Sequence, residues 1–114
     1  MASFTTGLVD NPAVSGVRPM ATLTVLIVNN DTLSTDVEIA GFYVSGPTKV
    51  QYVAEAFALG PGDVAIRNYY AQFDALEFQF DLTSGKVQVS LWGKDASGRI
   101  GFGQRILPQE LIQA

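Results

Sequence analysis

The stretch Leu76-Glu77-Phe78-Gln79-Phe80-Asp81-Leu82 decides the fold. Successive side chains of an extended chain point to opposite faces, so one dry and one wet face give a period of two. Here Leu76, Phe78, Phe80 and Leu82 hold one parity, and Glu77, Gln79 and Asp81 hold the other. Thr83, Ser84 and Gly85 close the run as a turn.

The same period extends outward in both directions. Downstream, Val87, Val89 and Leu91 alternate with Lys86, Gln88 and Ser90; Asp95 to Gly98 is a turn, and Ile100 to Ile106 is a last strand stopped by Pro108. Upstream, Leu23, Val25 and Ile27 share a face opposite Thr22 and Thr24, and Asn29, Asn30 and Asp31 end that run. Val37, Ile39 and Gly41 alternate with Asp36, Glu38 and Ala40 until Ser45, Gly46 and Pro47. Val50, Tyr52 and Ala54 stand against Lys49, Gln51 and Glu55, and Gly60 to Asp63 stops them. Val64, Ile66 and Tyr70 then share one face, with Arg67 and Tyr69 on the other. No window reads as a helix; Ala54 to Ala58 is helix-compatible, but Val50 to Val53 before it favours a strand. Short strands at about ten-residue spacing, each closed by Gly, Pro, Asn or Asp, predict a sandwich or barrel. The expected fold is all-β: an antiparallel β-sandwich of about seven to eight strands, jelly-roll or immunoglobulin-like, over residues 21–114, behind an N-terminal arm, residues 1–20.

Composition narrows the chemistry. The chain has 114 residues, enough for one domain with its own core. Only 16% of residues are charged and the net charge is −4. A small domain has much surface to cover, so few charges imply some apolar or neutral surface, which favours association. The seven Lys and Arg are scattered, which disfavours nucleic acid and anionic membrane as partners. With no Cys and no His, thiol nucleophiles, imidazole bases, Ser-His-Asp triads and nearly every zinc site are excluded. Met1 to Met20 lacks the basic start and apolar run of a secretory signal, and no apolar stretch is long enough for a membrane helix. No cofactor is expected.

The carboxylates read as structural. Asp31, Asp63, Asp74, Asp81 and Asp95 sit in or near turns, where Asp bonds its own backbone; they lack the spacing of a loop that wraps Ca²⁺. Glu38, Glu55 and Glu77 fall on polar parities, where solvated carboxylates are expected rather than a glycosidase pair. Gly60-Pro61-Gly62 has no following Lys or helix and is not a phosphate loop.

Two features suggest contact with a partner. The arm carries Phe4, Leu8, Val9, Val14 and Val17 among Gly, Pro and small residues, too apolar for a solvated linker. It is either a first strand of the same domain, around Phe4 to Val9, or a segment that adds to a sheet of a neighbouring copy. Head-to-tail donation of the second kind gives a ring or filament. Trp92 and Tyr69, with Tyr70 and Phe73 nearby, form either a flat platform, able to stack on a sugar or anchor an interface, or part of the core. Phe73 and Tyr70 are expected in the core, Trp92 and Tyr69 at a surface.

The turns Val28 to Asp31, Leu59 to Gly62 and Trp92 to Gly98, with the closing Gln109 to Leu111, resemble those of small β-sandwich proteins of spore-forming Firmicutes. That resemblance implies a fold and no activity. The architecture is also similar to subunits of spore appendages and donor-strand pili, whose connector enters the next subunit; this arm has no cysteine to cross-link it. The expected function is a non-enzymatic, self-assembling subunit of an extracellular or spore-surface fibre, its partner a further copy of itself. A carbohydrate-binding module with glycan partners is the alternative, and a viral or phage structural subunit a second.

Overall fold

The structure, a computed structural model, describes residues 2–83, 86–97, 100–106 and 112–113; for Ala2 and the last two runs it describes the backbone alone. Among the described residues ten strands follow in chain order: β1 (Ala2–Thr5), β2 (Val9–Asp10), β3 (Thr22–Asn29), β4 (Thr35–Ser45), β5 (Thr48–Leu59), β6 (Val64–Tyr70), β7 (Ala75–Leu82), β8 (Val87–Lys94), β9 (Ile100–Ile106) and β10 (Ile112–Gln113). They form an antiparallel β-sandwich. The first sheet runs β10-β1-β7-β4-β5, with β2 also paired to β7, and the second runs β6-β3-β8-β9. The turn residues Ser84 and Gly85, the Pro108 stop and the Gln109 to Leu111 stretch lie outside the described residues.

The parity of the deciding stretch holds. Phe78, Phe80 and Leu82 are fully buried, and they meet Val37 and Ile39 of β4 and Val25, Ile27, Val89 and Leu91 of the second sheet in one core. Burial of this apolar area is the main favourable term of folding, at about 25 cal/mol per Å².

Two strands depart from their expected faces. In β5 the pairing slips: Gly41 lies opposite Val53 but Phe42 opposite Gln51, which leaves Tyr52 as the extra residue of a bulge. Beyond it Ala54 is exposed, while Val53 and Phe57 pack against the core and Leu59 is buried. Gly41 shows why the chain bends there. A Cβ at this position would sit 2.7 Å from the Phe78 ring and 2.9 Å from Val53 Cβ, so only glycine lets the sheet close on Phe78. In β6, Val64, Ile66 and Tyr70 do share a face, but it is the outward one. Ala65 takes the core position, with Arg67 and Tyr69 half-buried on the same side. Those two polar-tipped side chains can turn inward because an acceptor, Glu55, waits on the facing edge strand.

The leading residues belong to this sandwich. Phe4 lies opposite Phe80 and Thr5 opposite Gln79 in β1, and Val9 lies opposite Leu76 in β2. The arm therefore takes the first of its two expected forms, a strand of its own domain. The expectation that its hydrogen-bond partners lie on another copy is corrected: β7 of the same chain supplies them.

Candidate functional site

The five apolar arm residues divide into two groups. Phe4 and Val9 pack against the core of their own chain, so they are not free to anchor a neighbour. Leu8, Val14 and Val17 stay 60%, 67% and 61% exposed. Val14 and Val17 exchange both backbone bonds, at 2.7 and 3.0 Å, around a two-residue turn whose Ser15 and Gly16 both have positive φ. Positive φ at both central positions is the type I′ pattern, whose twist suits a tight hairpin. The result is a hairpin tip bearing two exposed valines.

Asn11 fixes the base of this hairpin. Its side chain is wholly buried; Nδ2 donates 2.8 Å to the carbonyls of both Met20 and Ala71, and Oδ1 accepts from Met20 N at 2.9 Å. Its backbone N donates to Asp74 O, and Arg18 reaches both its carbonyl and the Asp74 carboxylate. Asn29 does the same at the opposite end of the sandwich, donating to the carbonyls of Leu33, Leu59 and Gly60. Asn29 was legible only as a turn residue and Asn11 was not singled out, because the long-range carbonyls they satisfy are not visible in sequence.

Tyr69 and Trp92 stand on opposite faces of the second sheet. Thr24 pairs with Trp92 on one side and Asn68 on the other, so these three share the outward face, and Tyr69, the next residue, points inward. One platform carrying both rings is not formed. Tyr69 instead packs on Phe78 at 5.0 Å and donates 2.6 Å to Glu55 Oε1. Phe73 stacks on Tyr43 at 4.5 Å and meets Tyr52 and Tyr70 edge-on. Tyr70, expected inside, is 59% exposed because it lies on the outward parity of β6.

The outward face of β6, β3 and β8 carries a run of adjoining apolar side chains. Rows across it read Val64-Val28-Gln88, Ile66-Leu26-Ser90, Asn68-Thr24-Trp92 and Tyr70-Thr22-Lys94. Val64 is 53% and Ile66 58% exposed, with Leu26, Val28 and Trp92 half-buried beside them. Among these twelve positions there is no carboxylate and one cation, Lys94. Trp92 Nε1 is buried without a hydrogen-bond partner among the described residues, although Thr24 and Asn68 bond each other nearby at 2.7 Å.

The outward face of the first sheet is opposite in character. It carries Glu38, Glu77, Gln79, Asp81, Gln51 and Lys49 around Ala40, Ala54 and Ala56. A shallow, open depression of about 270 Å³ lies over those alanines. Glu77, expected in solvent, is buried beneath its neighbours: Lys49 Nζ donates to Oε1 at 2.7 Å, and Thr5 and Gln79 donate to Oε2. Burial alone pushes this carboxyl up, but the bonds from Lys49, Thr5 and Gln79 together hold it below the usual glutamate range. Glu55 lies on the other side of the sheet, at the sandwich edge, so Glu55 and Glu77 do not face one another. Among the described residues no group of three or more acidic side chains is arranged to hold a metal ion. No helix there is long and apolar enough to cross a membrane.

Two of the five aspartates behave as read, whereas Asp81 lies within β7 and accepts from Ser3 Oγ, and Asp74 pairs with Arg18. Asp31 Oδ1 accepts from Thr32 N at 2.7 Å, and Asp95 Oδ1 accepts from Ser97 N at 2.9 Å.

No protein-family model matches the chain, and no curated protein matches it in sequence. Among solved structures it is similar to the Anabaena sensory rhodopsin transducer, at 14% identity and a TM-score of 0.52, over 79% of this chain and 85% of that one. It is also similar to Thermotoga maritima 1070, at 11% identity and a TM-score of 0.57, over 99% of this chain and 90% of that one. At these identities the likeness is one of fold.

Proposed function

We propose that the chain is a self-associating structural subunit, a sandwich that works by contact between copies in a fibre or other homopolymer at a cell or spore surface. The observation that carries this is the outward face of β6, β3 and β8, where Val64, Ile66, Leu26, Val28 and Trp92 adjoin one another in the absence of a carboxylate. A monomer normally keeps such a face polar, and contiguous apolar patches of this kind mark association surfaces. Net charge makes the choice of face specific. Copies of a chain at −4 repel one another, least where no acidic side chain has to be buried.

The low charge content and the absence of Cys and His support a non-catalytic role, with contact rather than chemistry as the output. Sedimentation velocity over a concentration series tests the proposal. Association that rises with concentration, and that Ile66→Asp weakens, is expected. A protein that stays monomeric to its solubility limit rules it out.

A further inference from the structure

Glu77 is buried on the parity that alternation gives to solvent, and the groups around it are reactive ones. Three strands deliver donors to its carboxylate. Thr5 of β1 donates its hydroxyl to Oε2, Gln79 of β7 donates its amide to the same oxygen at 3.4 Å, and Lys49 of β5 donates to Oε1 at 2.7 Å. Thr5 also stands directly opposite Gln79 in the β1–β7 register, where paired side chains share a face with Cβ atoms about 5 Å apart. A hydroxyl and a carboxamide thus meet at one carboxylate oxygen. Acyl transfer requires that set: a nucleophile, a base within hydrogen-bond reach of it, and an acyl carbon beside both.

We infer that Thr5 and Gln79 join in an intramolecular ester that ties β1 covalently to β7. Glu77 takes the hydroxyl proton of Thr5 as its Oγ1 attacks Cδ of Gln79. The Oγ1–Cδ bond forms, the Cδ–Nε2 bond breaks, and Glu77 passes the proton to the departing nitrogen. One ester and one ammonia result, Glu77 ends ionised as it began, and no oxidant or co-reactant is consumed.

The surroundings suit each step. Burial acts against ionisation of Glu77, but the bonds it accepts outweigh this and keep the carboxyl below the usual glutamate range, so it is ready to take a proton. A carboxylate held in this way is a weak base. The reaction runs once per molecule, however, and two groups fixed side by side in a sheet need little further catalysis. The Lys49 ammonium, on the other oxygen of Glu77, supplies positive charge as the Gln79 carbonyl oxygen turns negative. Lys49 is the poorer nucleophile: it must first lose a proton, and β4 lies between its strand and β7. The link is made within one chain and does not depend on contact between copies.

Intact mass spectrometry of the purified chain tests this. The parent should weigh one ammonia less than its sequence. Thr5→Val keeps a β-branched side chain without the hydroxyl, and Gln79→Met keeps the length without the acyl group; both should return to the sequence mass. Thr5→Ser keeps the hydroxyl and should keep the loss. Trypsin should release the peptide ending at Lys49 joined to the peptide from Asn68 to Lys86. Hydroxylamine should part the two, because it cleaves esters and leaves amides intact. A parent chain at its full sequence mass overturns the inference. So does the same loss of ammonia in Thr5→Val, or a link that resists hydroxylamine and blocks cleavage after Lys49, which would make Lys49 the nucleophile.

Discussion

Tyr69 donates a 2.6 Å hydrogen bond to Glu55, and the two residues lie on the edge strands of opposite sheets. Arg67 adds a 3.3 Å bond to the same carboxylate, and its guanidinium lies 4.5 Å from the centre of the Phe57 ring. This clasp closes one side of the sandwich where two strands end their sheets. Tyr69→Phe is expected to cost about 1 kcal/mol, the net value of one hydrogen bond. Glu55→Ala should cost more, because it leaves both the phenol and the guanidinium without their acceptor. Urea unfolding of the three proteins gives the comparison; equal midpoints would mean the clasp is ornamental.

Asn11→Ala should be the most damaging single change in the leading segment. It strips bonds from Met20 N, Met20 O and Ala71 O in a fully buried site. Leaving such groups unpaired costs about 1–3 kcal/mol each, so a loss of about 3 kcal/mol is expected. Because Asn11 anchors the hairpin base, protease cleavage between Leu8 and Met20 should rise in parallel. A variant as stable as the parent would show that water replaces the amide.

Acid should loosen the first sheet through Glu77. Its carboxyl is held below the usual range in the folded chain, so the unfolded chain binds a proton more readily. The stabilisation is therefore present above the ordinary value of 4.5 and is lost as pH falls through the lower, folded value. Glu77→Gln should be less stable than the parent at neutral pH, and the difference should narrow on acidification below 4.5. Thermal unfolding across that range measures it, and a constant difference counts against the assignment.

Alkali acts on the opposite sign through Tyr52. Burial pushes its phenol up to about 12, so the folded chain keeps the proton longer than the unfolded one. Its contribution is complete below the ordinary value of 10 and disappears as pH rises through about 12. Phenolate absorbance should show a late-titrating group that is missing from Tyr52→Phe; the same titration curve from both proteins would contradict the burial.

Gly41→Ala is expected to destabilise by about 1–3 kcal/mol, the usual range for overpacking a core. The new methyl would meet the Phe78 ring at 2.7 and 2.8 Å, and Phe78 is fully buried with little room to yield. Pairing the change with Phe78→Leu should recover part of the loss, and calorimetry of the double variant decides the point.

The strands around Leu23 to Ile27, Val37 to Ile39, Leu76 to Leu82 and Val87 to Leu91 were legible because each has one dry and one wet face, and parity reports that directly. Parity failed in β5 and β6, at the edges. There a strand faces core on one side and rim on the other, so Arg67, Tyr69 and Glu55 can turn inward by bonding one another, and alternation no longer marks the core. The Tyr52 bulge compounds this, since one extra residue inverts the faces beyond it. The candidate site was half legible. Val14 and Val17 stood out as apolar residues among turn formers, but the Val64 and Ile66 face of β6 could not be separated from a core face until the neighbouring strands were placed.

Ser3 meets its partner Asp81 from 78 positions away, and the rest of β1 spans nearly as much chain. A ribosome releases β1 long before it has made β7. Until then the leading segment has no sheet to join, and β4, which flanks β7, has one edge open. Contacts this distant in sequence form late and slowly. Closing β1 onto β7 is therefore a late step of maturation, which β10 then covers on the other edge of β1, and anything that delays it lengthens the interval in which a nascent chain exposes an unpaired sheet.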